Sequence, residues 1–174
     1  MKREPWKLFS WNLATLTEEA PALPHGLVLR IASKSEEPTV QALVARAFST
    51  DAQWTGSYSR ISDSLQERIH EAFRSQPNPG LVIQHGPRII AAACFTTEVD
   101  AENHLYCGPC VLPEYRSRGL GSTLLLQSLY ALKELEVHVA RALCKEGTTA
   151  CKFVYPKFQS VCDSYDSEPF ATVS

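Results

Sequence analysis

Cys110-Val111-Leu112-Pro113-Glu114-Tyr115-Arg116-Ser117-Arg118-Gly119-Leu120-Gly121-Ser122 joins an apolar strand, through a basic turn with two glycines, to a long leucine-rich helix. Main-chain N–H groups at a helix start lack intrahelical acceptors and carry partial positive charge. An anion placed there collects several hydrogen bonds without any side chain. Glycine at 119 and 121 removes the Cβ atoms that would hold a phosphate away. Arg116 and Arg118 add charge at the mouth of the turn, and Ser122 offers a further donor. The helix is expected from Gly119 to Leu135, with Leu120, Leu124, Leu125, Leu129 and Leu132 available for burial.

Upstream of this turn, Leu27–Ile31 is rich in branched residues and reads as a strand. Ser35 offers an N-cap for a helix with Val40, Leu43, Val44, Ala47 and Phe48 on one face. A loop from Ser49 to Arg60 holds Trp54 and Tyr58, and a second helix buries Ile61, Leu65, Ile69, Ala72 and Phe73 before Pro77-Asn78-Pro79-Gly80 stops it. Leu81–Gln84 and Arg88–Thr97, joined by His85-Gly86-Pro87, read as a hairpin. His104–Val111 reads as the strand that enters the turn. Downstream, Val137–Leu143 is a strand and Thr148–Tyr155 a short helix that Pro156 kinks or ends. Antiparallel strands come first and one strand–helix–strand unit follows. That order is an α+β domain with a mixed, mostly antiparallel, twisted sheet flanked by helices.

The chain of 174 residues fits one domain, here residues 27–174, preceded by an N-terminal arm over residues 1–26. The arm contains a weakly alternating stretch, Lys7–Leu13, and a proline-marked linker. A net charge of −2 gives no global field to recruit nucleic acid or anionic lipid. No stretch approaches the ~20 apolar residues of a membrane span, and the basic start has no apolar core behind it, so no signal peptide is expected. The six cysteines lie mostly in apolar runs, which points to a reduced, cytoplasmic setting.

The turn resembles the signature of the GNAT superfamily of acyl-CoA N-acyltransferases. That signature reads Gln/Arg-x-x-Gly-x-Gly/Ala, and Arg116, Gly119 and Gly121 fill its three defined places. The resemblance covers roughly Leu27 to Phe158, with the elements in the superfamily's order. It implies an N-acetyltransferase that uses acetyl-CoA (coenzyme A as product) and passes the acyl group directly to a primary amine. It further implies that the amides of Ser117, Arg118, Gly119, Leu120, Gly121 and Ser122 hold the pyrophosphate. Cys110, Val111 and Leu112 would pair with the pantetheine arm as with an added strand. A small-molecule or peptide amine is the implied acceptor, with neither nucleic acid nor a membrane as partner. A dinucleotide site fits less well, because Leu124 stands where its third glycine belongs.

Tyr155 matches the tyrosine that the superfamily places near the coenzyme A sulfur, and it is the candidate general acid. The chain departs from the pattern after it: Phe158 and Gln159 follow Lys157 where Gly-Phe is usual, and Pro156 sits directly behind the tyrosine. Too little chain follows for the usual closing pair of strands, so one strand, near Gln159–Cys162, is expected. The arm would then fill the open sheet edge, in its own subunit or in a partner's as a homodimer. Glu98, Glu102 and His104 are candidate bases whose simpler reading is solvated turn residues. A CoA-binding sensor or scaffold without transfer is the alternative function. Cys107-Gly108-Pro109-Cys110 also copies a redox motif, but no helix starts at its second cysteine to lower a thiol pKa. A Gly-Pro bulge in the strand is the better account.

Overall fold

The computed structural model describes residues 5–167. Among these residues, seven strands form two antiparallel sheets. In the larger sheet, β2 (Leu27–Ile31), β3 (Gly80–His85), β4 (Arg88–Cys94) and β5 (Cys110–Val111) follow in that order. In the smaller, β1 (Trp6–Asn12) lies between β6 (Val139–Lys145) and β7 (Val161–Tyr165). Every pair is antiparallel. The α+β class and flanking helices therefore stand, but the parallel contact expected of the strand–helix–strand unit is not made, since β5 and β6 share no ladder.

The helices follow the apolar periodicity. In α1 (Glu37–Ser49), Val40, Leu43, Val44 and Ala47 are buried, and in α2 (Tyr58–Ser75) all five expected positions are. α3 (Leu120–Glu134) buries the five expected leucines together with Thr123, Leu126 and Ser128. Ser35 is not the cap of α1. It lies in a 3₁₀ turn (Lys34–Glu36) in which Glu36 Oε1 accepts the Ser33 N–H at 2.8 Å, so the helix entry begins two residues earlier than expected.

The expected strand His104–Val111 shrinks to two residues for identifiable reasons. Proline at 109 cannot donate to a ladder, and Gly108 adopts φ 124°. The residues before them bond sideways to β6 instead: His104 N–H to Arg141 C=O at 2.8 Å, and Leu143 N–H to Asn103 Oδ1 at 3.2 Å. This short bridge joins the two sheets, while β5 and β6 stay apart beyond it.

The arm is part of the core. Trp6, Phe9 and Trp11 are buried, and β1 pairs with β6 from Trp6↔Lys145 to Asn12↔Val139 and with β7 from Trp6↔Tyr165 to Ser10↔Val161. It fills the centre of its own chain's sheet rather than an edge, and the closing strand falls slightly later than Gln159–Cys162. Trp11→Ala removes a ring that is 1% exposed and its hydrogen bond to Lys157 C=O. It is expected to lower stability by roughly 3–5 kcal/mol in urea denaturation.

Candidate active site

The gap between β5 and β6 is a cleft of about 610 Å³. One wall is the end of α1 and the loop after it, the other is β6 with residues 148–157, and the start of α3 closes one end. Gly119 caps α3 in the left-handed conformation, φ 77°, and Ser117 is also left-handed at φ 64°. The chain thereby turns sharply before the helix begins. Arg116 N–H bonds to Pro113 C=O and Thr123 N–H to Gly119 C=O. Between them, the N–H groups of Ser117, Arg118, Gly119, Leu120, Gly121 and Ser122 bond to no described residue. A Cβ on Gly121 would point between Val154 Cγ2 at 3.6 Å and Pro109 Cγ at 3.9 Å, both of which line the cleft. The seat is concave, lined by amides and open.

The two arginines of the turn are each held by neighbouring groups. Arg116 reaches across the cleft edge, donating from Nε to Val111 C=O at 3.2 Å and from a terminal nitrogen to Ala47 C=O at 3.0 Å and Thr50 Oγ1 at 3.2 Å. It ties the end of α1 to β5. Arg118 is exposed and turns away, stacked 5.2 Å from the Tyr115 ring and donating to Glu114 C=O. Ser122 Oγ accepts from Lys157 Nζ at 2.7 Å, which leaves its O–H as a donor. Lys157 is thus a cation beside the open amides. Sequence reading missed it because it comes from 35 positions downstream, across the cleft. Its backbone is held by the Trp11 indole at 2.9 Å.

Of the three strand residues expected to meet a ligand, one is free to do so. Leu112 N–H bonds to Ile90 C=O, and Cys110 opposes Ala92 in the same ladder phase. Antiparallel alternation therefore turns both toward β4 and leaves Val111 facing the cleft. Its carbonyl already receives Arg116 Nε, with one lone pair remaining.

Tyr155 lies in the cleft wall at the end of a π-helical turn, Ala150–Val154, where a short α-helix was expected. Its ring packs 5.6 Å from Phe9 and 5.8 Å from Trp11, and its hydroxyl bonds to no described residue. Burial pushes its pKa well above the ordinary tyrosine value, so it is protonated at neutral pH. Beyond Pro156, Phe158 and Gln159 are both left-handed at φ 59° and 62°. This is the place where glycine is usual, and each such residue costs roughly 1–2 kcal/mol.

The base candidates lie outside the cleft. Glu98 and Glu102 are exposed, Glu102 accepting from Tyr165 OH at 2.8 Å. His104 is fully buried rather than solvated: Nδ1 accepts Arg141 N–H at 3.0 Å and Nε2 donates to Glu98 C=O at 2.8 Å. Among the described residues lining the cleft, Asp51 is the one carboxylate, held by Gln53 N–H at 3.0 Å. Trp54 also lines the cleft, whereas Tyr58 stacks on Phe48 at 5.1 Å and does not. Cys107 lies in the loop leading to β5 and Cys110 begins that strand; both are free thiols, with Cys110 Sγ donating to Cys107 C=O at 2.8 Å. Among the described residues there is no metal-ligating cluster, and no helix is long and apolar enough to cross a membrane.

A cleft between splayed strands, with an open row of helix-start amides at its end, defines an α+β fold of the acyltransferase type. The profile of the acetyltransferase (GNAT) family matches residues 43–158, well over half of the chain, and the chain belongs to that family. Solved structures share the fold. A GCN5-related N-acetyltransferase from Sphaerobacter thermophilus superposes with TM-score 0.67 at 16% identity, over 94% of this chain and 50% of that one. One from Kribbella flavida gives 0.55 at 20% identity, over 94% and 55%. The GCN5-related glucosamine N-acetyltransferase region of a fungal multi-domain GH3 β-N-acetylglucosaminidase gives 0.59 at 13%, over 94% and 20%. The chain spans about half the length of the first of these. No curated protein matches it.

Burial holds the His104 pKa below the ordinary histidine value. The unfolded chain then binds more protons below about pH 6.5. The stability from this group is full above that pH and is lost as pH falls toward the folded-state pKa. Urea midpoints should therefore decline between about pH 7 and 5, with a shallower decline in His104→Gln.

Proposed function

We propose that the chain is an N-acetyltransferase that takes an acyl group from acetyl-coenzyme A and gives it directly to a primary amine. The observation that carries this reading is the row of six open amides, Ser117 to Ser122, at the end of an apolar cleft within the family's matched region. Such a row suits a diphosphate. Gly121 keeps the seat clear, and Lys157 adds its charge to that of Arg116, which also lines the cleft. Val111 is the residue available to pair with an extended amide-bearing arm. Acetyl-coenzyme A brings an acyl thioester whose thiolate must leave.

The chain's residues then act by position and proton supply. The cleft wall orients the reactants, which accounts for much of the rate in such reactions. Tyr155 holds a proton at its hydroxyl for the leaving sulfur. Burial raises the phenol pKa, and the same surroundings raise the proton affinity of a thiolate beside it, so the two stay matched. Asp51 is the carboxylate available to draw a protonated amine to the other side. No histidine or carboxylate activates a cysteine in the cleft, which favours direct attack over a covalent relay.

Thermal shift with acetyl-CoA, followed by thiol release over a panel of amines, tests the reading. Acetyl-CoA should raise the melting temperature, and at least one amine should drive thiol release. Stabilisation without release under every amine would instead describe a CoA-binding scaffold. Gly121→Val fills the seat and should abolish the acetyl-CoA shift while leaving the unliganded melting temperature within a few degrees. Tyr155→Phe keeps the packing on Phe9 and Trp11 and should lower kcat about 100-fold with little change in KM for acetyl-CoA. An unchanged kcat would remove the tyrosine from the reaction.

A further inference from the structure

Three of the six thiols share one face of the smaller sheet. Residues paired across strands point to the same side, and that side alternates along each strand. Lys7 opposes Cys144 and Phe9 opposes Cys162, so all four face the side on which Tyr155 packs against Phe9 and Trp11. The π-helical turn on that side places Cys151 beside Cys144, both touching Thr148. Thr148 fixes both. Its hydroxyl lies 3.4 Å from Cys144 Sγ, accepts Cys151 N–H at 3.3 Å, and donates to Lys145 C=O at 2.8 Å. Cys144 lines the cleft, and Cys151 stands four residues before Tyr155 on the same turn. Both sulfurs are free thiols.

We propose that Cys144 and Cys151 form a redox-active dithiol that a hydroperoxide converts to a disulfide, tying the end of β6 to the turn that carries Tyr155. Cys151 is the attacking sulfur. The neighbouring Cys144 thiol holds the Cys151 pKa below the ordinary thiol value, whereas Cys151 and burial push the Cys144 thiol up, so Cys151 is the more acidic of the two. Its sulfur attacks a peroxide oxygen; the S–O bond forms, the O–O bond breaks, and the departing oxygen takes a proton from water. Cys144 sulfur then attacks the sulfenic sulfur, forming the S–S bond and releasing water with the Cys144 proton. The two thiols lose two electrons and the peroxide gains them. In the second thiol cluster, Cys94 and Cys107 are 2% and 1% exposed, against 8% for Cys151.

The coupling to the acyl cleft rests on the acetyltransferase reading, while the dithiol does not. A bond to Cys151 draws the Cys144 sulfur out of the cleft wall and fixes the turn that leads to Lys157.

The full chain carrying Cys162→Ser is treated with hydrogen peroxide at about one equivalent, digested without reduction, and mapped by mass spectrometry. The expected product is a peptide cross-linked through Cys144 and Cys151, reversed by dithiothreitol and absent from Cys144→Ser and Cys151→Ser. The Kd for acetyl-CoA should rise roughly tenfold on oxidation and recover on reduction. A cross-link confined to Cys107 and Cys110, or sulfinic acid at Cys151 without a cross-link, overturns the dithiol. A cross-link with unchanged Kd overturns its effect on the cleft. Failure of the reduced protein to bind acetyl-CoA overturns the acetyltransferase reading, and the peptide map still decides the dithiol.

Discussion

β5 and β6 never meet, and the site exists because of that separation. A continuous ladder between them would consume the Val111 edge and close the cleft. What keeps them apart is a small set of sideways bonds: Asn103 and His104 fasten to Leu143 and Arg141 at one level, and Gly108-Pro109 then prevents a strand from extending back along β6. Arg116 braces the far side by joining Val111 to the end of α1. The opening is therefore a built feature with fastenings on both sides. Burial of His104, neutral and doubly hydrogen-bonded, makes the first of these fastenings costly to break.

Much of this was legible in the chain. Helical periodicity gave the buried faces of α1, α2 and α3 almost residue for residue, because those faces meet a core and nothing competes with packing there. The glycine turn was equally plain, since a left-handed Gly119 and an unobstructed Gly121 are local requirements. The losses occurred where a residue's partner is distant. Nothing near Arg116 reveals that its guanidinium will be taken by Ala47 and Thr50, or near Lys157 that it will reach Ser122. His104 reads as a turn residue until β6 is placed beside it. Asp51 lies in a loop whose direction only the fold supplies. The chain's local grammar thus marked the seat, and tertiary contacts decided which charges attend it.

The departures from the usual pattern fall together. Phe158 and Gln159 occupy left-handed backbone without glycine, next to a π-helical turn that is itself an uncommon geometry favoured at working sites. One long-range and one local bond hold this segment: the Trp11 indole on Lys157 C=O and the Ser160 hydroxyl on Tyr155 C=O. Strain of this kind persists only where surroundings over-determine it, and here the surroundings include the arm. Tyr155 and Lys157 thus depend for their placement on residues near the opposite end of the described chain.

The central position of β1 also orders events during biosynthesis. β1 leaves the ribosome before either neighbour, because β6 and β7 follow it far along the chain. Until they emerge, Trp6, Phe9 and Trp11 have no sheet to enter, and pairings between such remote segments are slow to close. An apolar segment waiting in that state suits chaperone capture. The larger sheet and α1–α2 can assemble before β6 is made, so the cleft acquires its second wall later, when β6 and β7 clip the waiting arm into place.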